Sequence, residues 1–284
     1  ARRDFICGRL ARDVAAIDFD EDGKLDVACA RWSLDLASPG EVTLLRGDGA
    51  GHFTFFADLP STAFPTSILA ADVDEDGHAD LVVSGFIDST IGRYLGDGQG
   101  GFGVPVISAG FPSSVTARPL GIVLGDVNGD GKLDVVAFDY ASSGAVSVSR
   151  GDGAGNLGSP TVYNFYDTRP SNLNDPHYVV WGAALADVNR DGKPDLIVAA
   201  ANNYFSSKGD VWVLLNDGAG NFSMPATYVW TRGLGHGDVP AQFVTAGDLD
   251  GDGNCDIVVT SGFGQFGSGN VVTILSGNGT GAFT

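Results

Sequence analysis

Short apolar runs, each closed off by glycine and aspartate, follow one another along the whole chain. Val14-Ala15-Ala16-Ile17 leads into an acidic stretch, and Leu25-Asp26-Val27-Ala28-Cys29-Ala30 comes next. After a polar connection the chain gives Glu41-Val42-Thr43-Leu44-Leu45, then a run opening at His52-Phe53. Runs this short, bounded by turn residues, predict strands, and no segment keeps a helical period. Asp48-Gly49 between the third and fourth runs predicts a tight hairpin, because glycine accepts positive φ without steric cost.

The four-run pattern repeats. An acidic loop, D-x-[DN]-x-D-G-x-x-D, begins at Asp18, Asp72, Asp126, Asp187 and Asp248, with successive starts 54, 54, 61 and 61 residues apart. A glycine-rich hairpin recurs with it, as at Gly96-Asp97-Gly98-Gln99-Gly100-Gly101-Phe102 and Asn216-Asp217-Gly218-Ala219-Gly220-Asn221-Phe222. A period of that size, maintained across the whole chain, marks a repeat architecture. Five units of four strands predict an all-β, five-bladed β-propeller of antiparallel blades, a single domain over residues 1–284. The last unit lacks a run for its outer strand, and Asp4-Phe5-Ile6-Cys7-Gly8-Arg9-Leu10 aligns with fourth strands such as Phe53 to Leu59. The N-terminal strand is therefore expected to complete the last blade and close the ring. Five repeats cut from a larger propeller are the alternative.

The net charge is −19, and the acidic loops hold about half of the 35 Asp and Glu residues. One divalent cation per loop would cancel about half of that charge, so the acidity reads as a metal requirement. Sixteen scattered Lys and Arg residues argue against nucleic acid as a partner. No apolar segment approaches the length of a membrane-spanning helix. The chain starts at Ala1 with neither methionine nor a signal-like stretch, which fits a processed mature protein or a trimmed piece. Cys7, Cys29 and Cys255 are too few for a disulfide framework and leave room for one bridge at most.

Oxygen donors at alternate positions around a glycine bend suit Ca²⁺. The expected ligands are Asp18, Asp20, Asp22 and Asp26 with the Lys24 carbonyl, and Asp72, Asp74, Asp76 and Asp80 with that of His78. Asp126, Asn128, Asp130 and Asp134 join Lys132 in the third loop, and Asp187, Asn189, Asp191 and Asp195 join Lys193 in the fourth. Asp248, Asp250, Asp252 and Asp256 with Asn254 complete the set of about five structural calcium sites. Asn at the third position predicts weaker binding in loops three and four. An EF-hand needs a bidentate acid at position twelve, where this chain has Cys29, Val83, Ala137, Val198 and Val259, so that reading fails.

The paired signals D-x-[DN]-x-D-G-x-x-D and G-[DN]-G-x-G-x-F resemble the FG-GAP/VCBS repeats of integrin α-subunit propellers, and the resemblance covers nearly the entire chain. It implies a calcium-binding propeller in which the acidic loop joins the first and second strands of a blade. It also implies a secreted, extracellular or cell-surface setting. The motif names the repeat and hardly constrains its function.

Strand order puts the acidic loops and hairpins on one face and the longer, dissimilar connections on the other, where specificity is expected. The connections from about Tyr163 to Trp181 and from about Tyr228 to Phe243 are the longest between blades. With the loop at Tyr204, they make Trp181, Trp230, Tyr204, Asp175 and Arg232 the candidate ligand-binding residues. Aromatic faces beside polar groups suit sugars or a protein partner. Three classes stay open. The first is a non-catalytic, lectin-like or adhesion module for carbohydrate or protein. The second is a structural, self-assembling protein of a cell surface or filament. The third is a polysaccharide lyase using His177, Tyr178, Arg169 and His236, for which no nucleophile motif or paired-carboxylate spacing speaks.

Overall fold

The computed structural model describes residues 3–32, 40–61, 64–113, 117–140, 144–164, 178–202, 209–223, 228–230, 241–261 and 271–284. Among them there are strands and turns and no helix. The strands form five antiparallel sheets in chain order. The first is β1 (Ala11–Ile17), β2 (Asp26–Arg31), β3 (Glu41–Gly47) and β4 (Phe53–Pro60). The second is β5 (Pro65–Ala71), β6 (Asp80–Gly85), β7 (Thr90–Tyr94) and β8 (Val106–Ala109). The third is β9 (Pro119–Gly125), β10 (Asp134–Asp139), β11 (Ala145–Ser149) and β12 (Thr161–Asn164). The fourth is β13 (Tyr178–Ala186), β14 (Asp195–Asn202), β15 (Gly209–Leu214) and β16 (Tyr228–Trp230), and the fifth is β17 (Ala241–Gly247), β18 (Asp256–Ser261) and β19 (Val271–Leu275).

The chain divides into two compact units, one of Ala1–Ser113, Arg118–Ile122 and Ser149–Pro160, the other of Ser114–Ala117, Val123–Val148 and Thr161–Thr284. In the first unit Ala15, Ile17, Ala28, Ala30, Val42 and Leu44 of the first sheet pack on Ile68, Leu81, Val83 and Tyr94 of the second. In the second unit Ile197, Ala199, Val211 and Val213 of the fourth sheet pack on Ala241, Ile257, Val259 and Leu275 of the fifth. Strands β6 and β10 are buried along their whole length. Burial on both faces explains why their sequences, Asp-Leu-Val-Val-Ser-Gly and Asp-Val-Val-Ala-Phe-Asp, read as near-continuous apolar runs instead of alternating.

Hairpins are stitched to the preceding repeat. Gly100 N–H donates to the Phe19 carbonyl at 3.0 Å, and Gly281 N–H to the Val188 carbonyl at 3.1 Å. Arg93, fully buried, donates Nε–H to the Gly155 carbonyl at 2.7 Å. Asn216 Nδ2 donates to the Val127 carbonyl at 2.8 Å. Phe102 packs edge-on against Phe19 of the previous repeat.

The N-terminal segment departs from expectation. Residues 4–10, expected as the outer strand of the last blade, are not a strand and lie along the first sheet. Arg3 Nη1 donates to the Ala50 and Gly51 carbonyls at 3.0 and 3.1 Å, Phe5 stands edge-on to Phe53 at 5.3 Å, and the Leu10 carbonyl accepts Trp32 N–H at 3.2 Å. Positive φ at Gly8 (96°) and Leu10 (55°) turns this backbone off the extended path that a ladder requires. Among the described residues the fifth sheet has three strands, and Phe243, Val272 and Ile274 in it are exposed. The three cysteines are free thiols. Burial, then a hydrogen bond with Cys7, pushes the Cys29 thiol up to about 12.

Candidate functional site

Each acidic loop joins the first two strands of its sheet, as its place in the repeat predicts. All five fold around the same hydrogen bonds. The glycine at position six donates its N–H to the aspartate at position one: Gly23 to Asp18, Gly77 to Asp72, Gly131 to Asp126, Gly192 to Asp187 and Gly253 to Asp248, at 2.8–3.0 Å. The residue at position seven donates its N–H to the aspartate at position five, as Lys24 does to Asp22 and His78 to Asp76. These bonds curl the loop so that its side-chain oxygens converge.

Carboxylate oxygens of Asp18, Asp20 and Asp22, of Asp72, Asp74 and Asp80, and of Asp248, Asp250 and Asp256 all fall within 4.8 Å of one another in each set. In loops three and four the Asn128 and Asn189 side chains donate to Asp130 and Asp191 at 3.0 and 3.2 Å, an internal contact that a carboxylate at that position cannot make. Three oxygens, Asp18 Oδ1, Asp20 Oδ1 and Asp72 Oδ1, are buried without a hydrogen-bond partner. A buried, partnerless carboxylate oxygen is costly, and a cation would satisfy it. Around the first loop Arg46 pairs with Asp20 at 2.8 Å and Lys24 with Asp22 at 2.6 Å. The Lys24 ammonium holds the Asp22 carboxyl below its ordinary range. Burial, then repulsion by Asp76, pushes Asp74 up.

The ninth-position aspartates are buried, and Asp26, Asp80, Asp195 and Asp256 are doubly engaged. Asp80 accepts Val73 N–H on Oδ2 and Gly96 N–H on Oδ1, both at 2.8 Å. Asp26 does the same with Phe19 and Gly47, Asp195 with Val188 and Asn216, and Asp256 with Leu249 and Gly277. Each therefore ties its acidic loop to the hairpin of the same sheet, a role that sequence reading missed. Burial raises the carboxyls of Asp26, Asp80 and Asp195 despite these bonds. The remaining lone pair on each oxygen still suits a cation.

The FG-GAP-like repeat pattern matches residues 18–83, 126–198 and 187–259, together most of the chain. The chain belongs to the FG-GAP-like repeat family. Integrin alpha pat-2 of Caenorhabditis briggsae is 30% identical over 173 residues, and that of Caenorhabditis elegans 28% identical over the same length. Each alignment covers 55% of this chain and 14% of the relative, so the chain spans a small part of those proteins. The solved structure of BBS1N in complex with ARL6DN matches with a TM-score of 0.52 at 12% identity, covering 93% of this chain and 60% of that one, a likeness of fold alone. A lectin of Agrocybe aegerita, described as recognising non-reducing terminal N-acetylglucosamine, matches with a TM-score of 0.43 at 18% identity, over 95% of this chain and 77% of that one.

At the strand ends away from the acidic loops, the FG-GAP-like repeats of this chain differ from one another. Four first strands are interrupted by a bulge at the same place, and the extra residue is Arg12, Thr66, Trp181 or Gln242. A bulge re-aims its side chain. In the first unit the Arg12 guanidinium lies 4.3 Å over the Trp32 ring, and Trp32 meets Phe64 edge-on at 5.2 Å and Phe86 at 6.2 Å. Trp32 Nε1–H is buried without an acceptor. In the second unit Trp181 stands edge-on to Tyr140 at 5.7 Å.

Trp181 and Tyr178 are therefore residues of β13, and Trp230 of β16, not residues of long connections. Val179 and Val180, both buried, pull this segment into the sheet. Arg169, Asp175, His177, Tyr204, Arg232 and His236 lie outside the described residues.

Proposed function

We propose that the chain is a calcium-stabilised binding module, one domain of five propeller blades, that works outside the cell or at its surface. The acidic loops hold Ca²⁺, and the opposite strand ends recognise a carbohydrate or protein ligand. The observation that carries the metal half is the buried, partnerless set Asp18 Oδ1, Asp20 Oδ1 and Asp72 Oδ1 within converging carboxylates. In each loop the ion is held by the residues at positions one, three, five and nine and the carbonyl at position seven, Asp18 to Asp26 in the first. Bound there, calcium neutralises charge and locks the loop. Loops three and four, with Asn128 and Asn189, are the weaker pair.

The bulges support the recognition half. Of the four equivalent positions, Thr66 and Gln242 are buried, and Arg12 and Trp181 are the accessible pair, of different chemistry, whereas the acidic loops are near copies. Residues repeated in every sheet build the fold; residues that differ at one structural position suit recognition. The integrin alpha relatives favour adhesion as the setting. The test is a glycan and extracellular-matrix protein array in calcium, with Arg12→Ala and Trp181→Ala alongside. Binding lost in either variant at an unchanged melting temperature supports the reading, and binding that survives in both overturns this face.

A further inference from the structure

Position four of the acidic loop has positive φ in all five copies: Glu21 (55°), Glu75 (60°), Gly129 (76°), Arg190 (62°) and Gly251 (79°). Glycine takes this conformation freely, and loops three and five use it. A long side chain there is strained, and strain of this kind persists where the surroundings hold it in place.

Glu21 and Arg190 make the same contact. Glu21 Oε1 is hydrogen-bonded to His78 Nδ1, and Arg190 Nη1 donates to Asn254 Oδ1 at 3.2 Å. His78 and Asn254 are both position seven of the following loop, the residue whose carbonyl is assigned to the ion. The same hairpin glycine walls each contact. A Cβ on Gly98 would lie 2.4 Å from His78 Nδ1 and 2.8 Å from Glu21 Oε1. One on Gly279 would lie 2.4 Å from Asn254 Oδ1 and 2.9 Å from Arg190 Cδ. Two residues further on, Gly100 and Gly281 donate to the position-two carbonyls, Phe19 and Val188, of that same earlier loop. Two different charge chemistries thus build one geometry twice, once in each unit.

We propose that position four is a clasp that couples calcium binding in the first loop to the second, and in the fourth to the fifth. The inference rests on the calcium reading above. Binding in one loop orders its position four, which then holds position seven of the next loop in place before its own ion arrives. Ordering done by the first ion need not be repeated for the second, so the coupling is positive.

The test is a calcium titration of the ¹⁵N-labelled full chain by NMR, in which the amides of Gly23, Gly77, Gly192 and Gly253 report their loops separately. Asp18→Asn with Asp22→Asn disables the first loop and keeps its hydrogen-bond acceptors. The second-loop midpoint at Gly77 then rises about fivefold, and stays put when the same pair is placed in a Glu21→Gly background. A Gly77 midpoint indifferent to the first loop, or shifted equally in both backgrounds, overturns the clasp. Arg190→Gly disables no loop and gives an independent arm: the Gly253 midpoint rises several-fold while the calcium-free melting temperature holds, and an unmoved midpoint overturns the proposal. Should none of the four amides respond to calcium in the native chain, the calcium reading itself fails, and the clasp with it.

Discussion

Asp80 and Gly96 are joined by a 2.8 Å hydrogen bond from the hairpin amide to the buried carboxylate, which also accepts Val73 N–H from its own loop. This bond unites the two signature motifs of the repeat, and it needs no metal. Replacing Asp80 with alanine strands two buried N–H groups and is expected to cost roughly 2–4 kcal/mol. Urea unfolding measures it. The loss should appear with calcium and with chelator alike; a loss confined to calcium would mean that Asp80 acts only as a ligand.

Asp74 is expected to behave in the opposite way. Burial and Asp76 push its carboxyl up, so its charge is unfavourable in the metal-free loop. For a carboxyl raised in the folded state, neutralisation relieves the folded state. Asp74→Asn should hold or raise the melting temperature in chelator and reduce the stabilisation that calcium adds. A fall of equal size under both conditions would count against a metal role.

Calcium removal should destabilise the whole chain. At millimolar calcium and affinities typical of extracellular sites, each occupied loop adds on the order of 1–3 kcal/mol by linkage. Melting curves in calcium and in EDTA should therefore separate clearly, and superimposable curves would remove the structural-calcium reading.

Acid should loosen the hairpins within a defined window. Asp152 is held down to about 2 by the Asn156 side chain and by the amides of Asn156 and Ala154. Asp48 and Asp217 are lowered by equivalent bonds. A lowered carboxyl contributes stability above its unfolded value of about 4 and loses it as pH falls through its folded value. In calcium-free buffer the melting-temperature gap between the native chain and Asp152→Ala should therefore shrink between pH 5 and pH 2. These side chains are exposed, so the gap is small at any pH. A gap constant with pH would assign the hairpin's stability to its glycines alone.

The strands, acidic loops and hairpins of this protein were readable from its sequence because each depends on neighbours within a few residues. Asp-Gly spacing bends the loop, Gly-Asp-Gly makes the turn, and apolar runs too short for helices make strands. Contacts across the fold were not readable, because they depend on register and sheet packing. Asp80 finds Gly96, 16 residues on, only once β6 and β7 are paired. Arg12 and Trp181 are re-aimed by bulges that leave no local signature, and Trp181, read as a loop residue, is held in β13 beside buried valines. Phe5 could serve any sheet edge by its sequence; the ring of Phe53 and the carbonyls of Ala50 and Gly51 placed its segment on the first. Local chemistry set the repeat, and the packing of one repeat on the next decided which side chains meet.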